Sequence, residues 1–166
     1  MQNTMTEKDM FLQSFERECR CTQKILDAYP ADRGDLRPAP KSKTATELAF
    51  MFTMEQGLAA MGLAGKIEMG GQRPPVPATF AETVTAFGPA WQATLANVKA
   101  AGDDVLNRTL QFPTGKGQMG EMRAMDVLWL VLMDMVHHRG QLSVYLRMAD
   151  GKLPSIYGPT ADEPWM

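Results

Sequence analysis

The sequence predicts an all-α protein, a single four-helix bundle, and three observations support this. Four stretches of the 166-residue chain place apolar side chains at steps of three and four residues, the pattern of a helix with one buried face. Clusters of Pro and Gly separate these stretches, and the rest of the chain gives no convincing sheet pattern. Connectors of about 13 residues are longer than the loops of a simple up-and-down bundle, so at least one connection is expected to cross over.

The four helices are predicted over residues 6–28, 44–61, 79–101 and 123–149. Each of the first three starts with a threonine and has an acidic residue three positions later, a pair that caps the free backbone N–H groups of a helix start. These pairs are Thr6–Asp9, Thr44–Glu47 and Thr79–Glu82. Prolines or glycines are expected to end the helices, at Tyr29-Pro30, Gly62, Gly102 and Asp150-Gly151.

Two further segments complete the predicted domain, which is expected to span residues 1–166. Residues 106–120 are too rich in glycine for a helix and are predicted to be an excursion from the core, with Thr109–Phe112 as one short strand. The tail, residues 150–166, is rich in proline and contains three large apolar side chains. These side chains, Ile156, Tyr157 and Trp165, predict that the tail packs back onto the bundle.

Composition excludes several classes of protein. The 17 basic and 19 acidic residues give a net charge of −2, which offers no electrostatic basis for binding nucleic acid or an anionic membrane. The start of the chain is polar, and no stretch approaches the ~20 apolar residues of a membrane span, so a soluble cytoplasmic protein is expected. Phosphate-binding glycine loops and the nucleophile elbow of serine hydrolases are absent from the sequence. Cys19 and Cys21 are interpreted as ordinary helix residues.

The densest group of polar residues in an apolar helix surrounds Asp134 and His138. Four residues apart, the two side chains lie on one helix face at about 6 Å, a workable spacing for two ligands of one divalent metal ion. The alternative is structural, with Asp134 paired to an arginine and His138 hydrogen-bonded in the core. His137 points about 100° away around the helix and is not expected to be a second ligand.

Glu55 is the one acidic residue in the apolar stretch of the second helix. It lies either on a solvated edge of that helix or in the bundle interior, where it would add a carboxylate to Asp134 and His138. Arg139 and Gln141 are expected to have structural roles, Arg139 pairing with a carboxylate of another helix and Gln141 satisfying a buried backbone group. Gly140 predicts the close approach of another backbone.

Two segments resemble the DinB-like family of small bacterial bundle proteins, within the DinB/YfiT-like superfamily. They are DLRPAPKSKTATELAFMF before and into the second helix, and HHRGQLSVYLRMADGKLPSIYGPTADE at the C-terminal end. The resemblance extends from about residue 10 to residue 163. It implies a bundle of up-down-down-up topology that is frequently a homodimer. A homodimer is expected also because a second helix apolar on nearly all its faces needs more cover than three neighbours provide.

The resemblance also implies a metal site, usually made of three histidines. His138 matches the last of them, Asp134 occupies the place of the middle one, and Met51 the place of the first. Aspartate is a competent substitute, but a methionine thioether is a poor ligand for zinc, nickel or iron. If such an ion binds, Asp134 and His138 are expected to be ligands, and water or Glu55 to complete the shell.

Two functional classes follow from these interpretations. The first is a divalent-metal-dependent enzyme of the thiol-dependent transferase or hydrolase type, because the wider superfamily includes enzymes that act with mycothiol or bacillithiol. A low-molecular-weight thiol or another small molecule would then be its partner. The second is a non-catalytic binding or structural bundle that has kept the fold and lost the site. A regulatory partner domain is a weaker third hypothesis.

Overall fold

The computed structural model of the chain describes residues 4–68, 70–71 and 73–166; residues 1–3, 69 and 72 of the predicted domain lie outside this part. Four long helices dominate it: α1 (Glu7–Ala28), α2 (Ala45–Ala64), α3 (Phe80–Ala100) and, last in the chain, α5 (Ala124–Met148). The segment between α3 and α5 holds a short helix, α4 (Asp103–Leu106), and two strands, β1 (Thr109–Gly115) and β2 (Gln118–Arg123). The mostly helical fold predicted from the sequence is confirmed.

The three predicted capping pairs form as expected. In each, the threonine side chain accepts a hydrogen bond from the acidic residue's N–H, and the acidic side chain accepts one from the threonine N–H. The predicted end of α2 at Gly62 is wrong, because the helix continues to Ala64 and ends at Gly65, whose φ of 80° is left-handed. Gly62 instead lies buried inside the helix, where an added Cβ would come within 3.0 Å of Val127 on α5. The missing side chain at Gly62 therefore allows α2 and α5 to pack closely.

Contacts between helix ends establish the direction of α1 relative to two neighbours. Lys8, at the start of α1, donates hydrogen bonds to the carbonyl of Ala101 just beyond the end of α3. Glu7 forms an ion pair with Arg123, the residue before α5, at 2.9 Å. The helix α1 is therefore antiparallel to α3 and parallel to α5.

The remaining helix, α2, is antiparallel to α5. The hydroxyl of Tyr145, near the end of α5, donates a hydrogen bond to the carbonyl of Lys43, just before the start of α2. With α1 and α5 running one way and α2 and α3 the other, the topology is up-down-down-up, as expected. Because α2 and α3 are parallel, the connector over residues 65–79 returns along the bundle.

The core lies between these four helices and is dominated by aromatic and aliphatic side chains that water does not reach. The largest of them are Phe11, Phe15, Phe52, Phe80, Phe87, Leu128 and Met135. Burying side chains of this size contributes about 1.5–3 kcal/mol each relative to exposure. The packed core fixes α2 and α5 side by side, and this pair carries the site described below.

The predicted strand at Thr109–Phe112 is confirmed as part of β1, but the prediction that this segment is an excursion from the core with a single strand is wrong. The strands β1 and β2 form an antiparallel hairpin, with Thr109 opposite Arg123. Leu110 and Phe112 are buried in a small second cluster with Val127 of α5. Sequence reasoning missed β2 because the segment QMGEMR has no β-branched residue and few buried positions.

The tail after α5 contacts the bundle. Asp150, with a φ of 58°, turns the chain at the end of α5, and Gly151 N–H donates to the Leu146 carbonyl. Ile156 packs against the core, while Trp165 is 67% exposed. In the part of the chain that the structure describes, no helix is long and apolar enough to cross a membrane.

Candidate metal centre

Three side chains that can ligate a metal converge between α2 and α5. Glu55 comes from the middle of α2, and Asp134 and His138 come from successive turns of α5. One ligand atom from each of the three lies within 4.8 Å of the other two. A hydrogen bond of 2.5 Å joins His138 Nδ1 to Glu55 Oε1, and the same nitrogen lies 3.8 Å from Asp134 Oδ2. The helical spacing of Asp134 and His138 places both beside the carboxylate of the neighbouring helix.

The solvent exposure of the three side chains increases from Glu55 through His138 to Asp134. Glu55 is 3% exposed, the His138 side chain 14% and the Asp134 side chain 47%. The sequence left open whether Glu55 lies on a solvated edge of its helix or in the bundle interior, and the structure places it in the interior. Asp134 does not face the bundle interior as expected; it lies where the site opens to solvent. No arginine pairs with Asp134 among the described residues.

The electrostatics of the site centre on Glu55. Burial raises the pKa of the Glu55 carboxyl to about 7, although the hydrogen bond from His138 opposes this. That same hydrogen bond raises the pKa of His138. Near neutral pH the pair therefore holds a proton that a metal ion would displace.

Glu55 Oε2 provides a test of whether the residues fit a cation. This oxygen is buried and has no hydrogen-bond partner among the described residues. An unsatisfied buried acceptor costs about 1–3 kcal/mol, more when it is charged, and a bound cation removes that cost. Carboxylate oxygens and imidazole nitrogens are also both usual ligands of divalent transition metals. The residues fit a divalent ion.

The site opens into a pocket of about 810 Å³ between α2 and the two connectors on either side of it. Glu55 and Asp134 contribute to its lining, together with Met51, one helical turn before Glu55. Other apolar side chains, four basic ones, Ser42 and the acidic residues Glu47 and Glu68 also line it. Sequence reasoning missed the basic residues, since they lie scattered in proline-rich connectors whose fold the periodicity of the helices does not predict.

The three residues after His138 do not take part in the site. Arg139 pairs with Glu18 of α1 at 2.8 Å, which confirms the expected partnership with another helix. Gln141 does not satisfy a buried backbone group; it is exposed and hydrogen-bonds the His137 ring on the same helix. Gly140 does not allow a close backbone approach, because among the described residues nothing lies within 4 Å of an added Cβ.

Comparison with known proteins agrees with this architecture. A sequence model of the DinB family matches residues 1–165. The chain is 27% identical over 156 residues to Uncharacterized protein YrdA of Bacillus subtilis (strain 168), covering 93% of this chain and 90% of that protein. The crystal structure of a DinB-like protein from Bacillus cereus is similar with a TM-score of 0.74 at 25% identity, over 89% of this chain and 95% of the other. The DinB-like protein YjoA from Bacillus subtilis shares the fold, with a TM-score of 0.71 at 17% identity over 89% and 97% of the two chains.

Proposed function

The chain belongs to the DinB family, and we propose that it is a metal-dependent enzyme whose divalent ion is bound by Glu55, Asp134 and His138. The observation that carries the proposal is their convergence, within 4.8 Å, around a buried carboxylate oxygen that has no partner among the described residues. An ion held there would lower the pKa of a thiol or water molecule and so supply a nucleophile at neutral pH.

The protein's own residues prepare the site in two ways. The buried carboxylate and imidazole are set before any ligand arrives, because each is fixed in a helix of the packed bundle and the two are hydrogen-bonded to each other. The apolar side chains of Met51 and Met54 line the pocket beside them and limit the access of water. The donor set of two carboxylates and one imidazole suits zinc, nickel or iron(II).

A nucleophilic thiol would have to come from outside the chain. Cys19 is fully buried, and burial raises the pKa of its thiol well above the usual range. Cys21 is also buried, at 9% exposure. Neither cysteine lines the pocket. A small thiol that enters the pocket is therefore the partner we propose for a transfer reaction.

Metal content and turnover test the proposal together. Protein produced without a histidine tag is expected to contain close to one zinc, nickel or iron ion per chain by elemental analysis. Loaded with that metal, it should accelerate the reaction of a small thiol with 1-chloro-2,4-dinitrobenzene, in which a sulfur–carbon bond forms, chloride leaves and the thiol proton passes to buffer. His138→Ala should abolish both metal retention and the acceleration.

The second candidate function is a non-catalytic bundle, and Met51 is the residue that favours it. Met51 stands where the family's first histidine is expected, so one nitrogen donor is missing from the site. This candidate predicts weak metal binding and no turnover with any thiol. Metal bound at one ion per chain, together with thiol transfer, would rule it out.

A homodimer stays a prediction, and the outer side of α5 offers a surface for it. Leu130, Met133, Val144 and Met148 are 40%, 66%, 56% and 46% exposed. With 3.6 residues per turn they lie within about 60° of one another around the helix, so a second copy would cover two apolar patches on one face, with the exposed His137 and Gln141 between them. Light scattering should give about twice the 18.4 kDa of one chain, and Met133→Lys should lower it. A mass of one chain at every concentration would contradict this prediction.

A further inference from the structure

Four basic side chains line the pocket that leads to Glu55 and Asp134. They are Arg37, Lys41, Lys43 and Arg73, all of them exposed. The first three belong to the connector before α2, and Arg73 belongs to the connector after it. The chain as a whole has a net charge of −2, so this grouping is local.

Besides Glu55 and Asp134, two acidic residues line the pocket, Glu47 and Glu68, and both already have partners. Glu47 accepts a 2.6 Å hydrogen bond from the N–H at the start of α2 and lies 3.8 Å from Arg37. Glu68 pairs with Lys66 at 2.6 Å. Neither carboxylate forms an ion pair with the remaining basic residues of the pocket, and Lys43 acts on Glu47 only at longer range.

Lys41, Lys43 and Arg73 carry positive charges that no ion pair with a described residue neutralises. Among the described residues, no carboxylate oxygen lies within 4.0 Å of any of them. Three like charges at the mouth of one pocket repel one another, and a bound anion would relieve that repulsion.

The connector that carries Lys41 and Lys43 is held in place. The Tyr145 hydroxyl donates to the Lys43 carbonyl at 2.9 Å, and Ala45 N–H donates to the Leu36 carbonyl at 2.9 Å. Lys43 also lines the same pocket as Glu55 and Asp134. The basic mouth and the metal centre therefore belong to one site.

The pocket wall between the basic residues at its mouth and Glu55 at its floor is apolar. Met51, Met54, Leu58, Met61 and Val76 contribute to it. Methionine side chains are flexible and polarisable, so such a wall adapts to apolar groups of different shape. The pocket volume of about 810 Å³ is within the range of 300–1,000 Å³ typical of small-molecule sites.

We infer that this pocket binds a small organic anion with an apolar body, whose carboxylate, phosphate or sulfonate group is held by Lys41, Lys43 and Arg73. The apolar body lies against the methionines and reaches toward Glu55 and Asp134. That this molecule is the substrate rests on the proposed function, but its binding does not, because the basic mouth exists without a metal.

A pair of fluorescent probes with related aromatic skeletons tests the inference on metal-free protein. One probe, 8-anilinonaphthalene-1-sulfonate, is anionic, and the other, N-phenyl-1-naphthylamine, is neutral. The combined variant Lys41→Ala, Lys43→Ala, Arg73→Ala should bind the sulfonate at least tenfold more weakly than the wild type and the neutral probe within twofold. Raising the salt from 0.05 to 0.5 M should weaken sulfonate binding to the wild type and leave the variant little changed.

A matched variant controls for the change in net charge. Lys24, Lys116 and Lys152 are exposed and do not line the pocket, so replacing all three by alanine should leave both affinities within twofold. Equal losses for the two probes, an equal loss in the control variant, or no probe binding to the wild type would each overturn the inference.

Calorimetric titration with nickel separates this inference from the proposed function. The pocket variant should bind nickel as tightly as the wild type or more tightly, since three positive charges near the cation are gone. Selective binding of the sulfonate without any binding of nickel would overturn the metal centre and leave the anion site standing.

Discussion

His138 and Arg139 are neighbours in α5, yet they belong to two buried polar clusters of opposite character. The His138 cluster contains the buried Glu55 carboxylate, has an acceptor without a partner among the described residues, and opens to a pocket. The Arg139 cluster contains the buried carboxylate of Glu18, which accepts hydrogen bonds from Arg139 and the Tyr157 hydroxyl. One buried carboxylate is incompletely satisfied and the other is surrounded by donors.

The pKa values of the two carboxyl groups follow this difference. Burial would raise both, and for Glu55 it prevails, giving a pKa of about 7. For Glu18, hydrogen bonds from Tyr157, Arg139 and Arg17 outweigh burial and hold the pKa below its usual range. A satisfied buried carboxylate stabilises a fold, whereas an incompletely satisfied one at the floor of a pocket is suited to a ligand. The Arg139 cluster ties the tail to the bundle through Tyr157, and the His138 cluster is the proposed metal centre.

The largest expected effect comes from breaking the satisfied cluster. Arg139→Ala leaves the Glu18 carboxylate without its buried cation, with only the exposed Arg17 still paired to it, and should lower the free energy of unfolding by about 3–5 kcal/mol. Urea denaturation measures this loss. Arg20→Ala, which removes the exposed partner of Glu16, is the matched control and should have little effect. A loss for Arg139→Ala no larger than for the control would remove the distinction between the clusters.

Neutralising the buried carboxylate should have opposite effects in the two clusters. Without metal at pH 8, Glu55→Gln should raise the free energy of unfolding by on the order of 1 kcal/mol, because it removes a poorly solvated charge. Glu18→Gln should lower it, since the charge there is paired with Arg139. Urea denaturation of both variants measures the two signs. The same sign for both variants would contradict the comparison.

The pH dependence of stability should differ in the same way. A raised pKa means that the Glu55 contribution to stability is fully present below about pH 4.5 and is lost as the pH rises toward about 7. A lowered pKa means that the Glu18 contribution is present above about pH 4.5 and is lost as the pH falls through the folded-state value. The difference between wild type and Glu55→Gln should therefore grow from pH 5 to pH 8, whereas Glu18→Gln should approach the wild type in acid.

The smallest expected effect comes from adding a donor to the incomplete cluster. Met51 lines the pocket one turn from Glu55, so Met51→His should strengthen nickel binding by roughly threefold, as a nitrogen ligand replaces a poor thioether. Met148→His, on the exposed side of α5, is the control and should leave the affinity of this site unchanged. Equal affinities for wild type and Met51→His in calorimetry would show that residue 51 does not reach the ion.

Much of the fold could be predicted from the sequence because it depends on local signals. Threonine–acid pairs mark the starts of three helices, and the spacing of apolar residues predicts which faces of the helices are buried. The hairpin could not be predicted, since the pairing of β1 with β2 depends on the burial of Leu110 and Phe112 by α5. For the site, helical spacing placed Asp134 beside His138, but the burial of Glu55 depends on how α2 packs against α5, which no local pattern determines.

The central claim is that the incompletely satisfied cluster binds one divalent metal ion, and a calorimetric titration tests it most directly. Nickel is titrated into untagged wild type, Glu55→Gln and Glu18→Gln at pH 7.5. The wild type should bind one ion per chain with release of protons. Glu18→Gln should match it, and Glu55→Gln should bind at least tenfold more weakly. Negligible binding by all three proteins, or equal binding by wild type and Glu55→Gln, would contradict the claim.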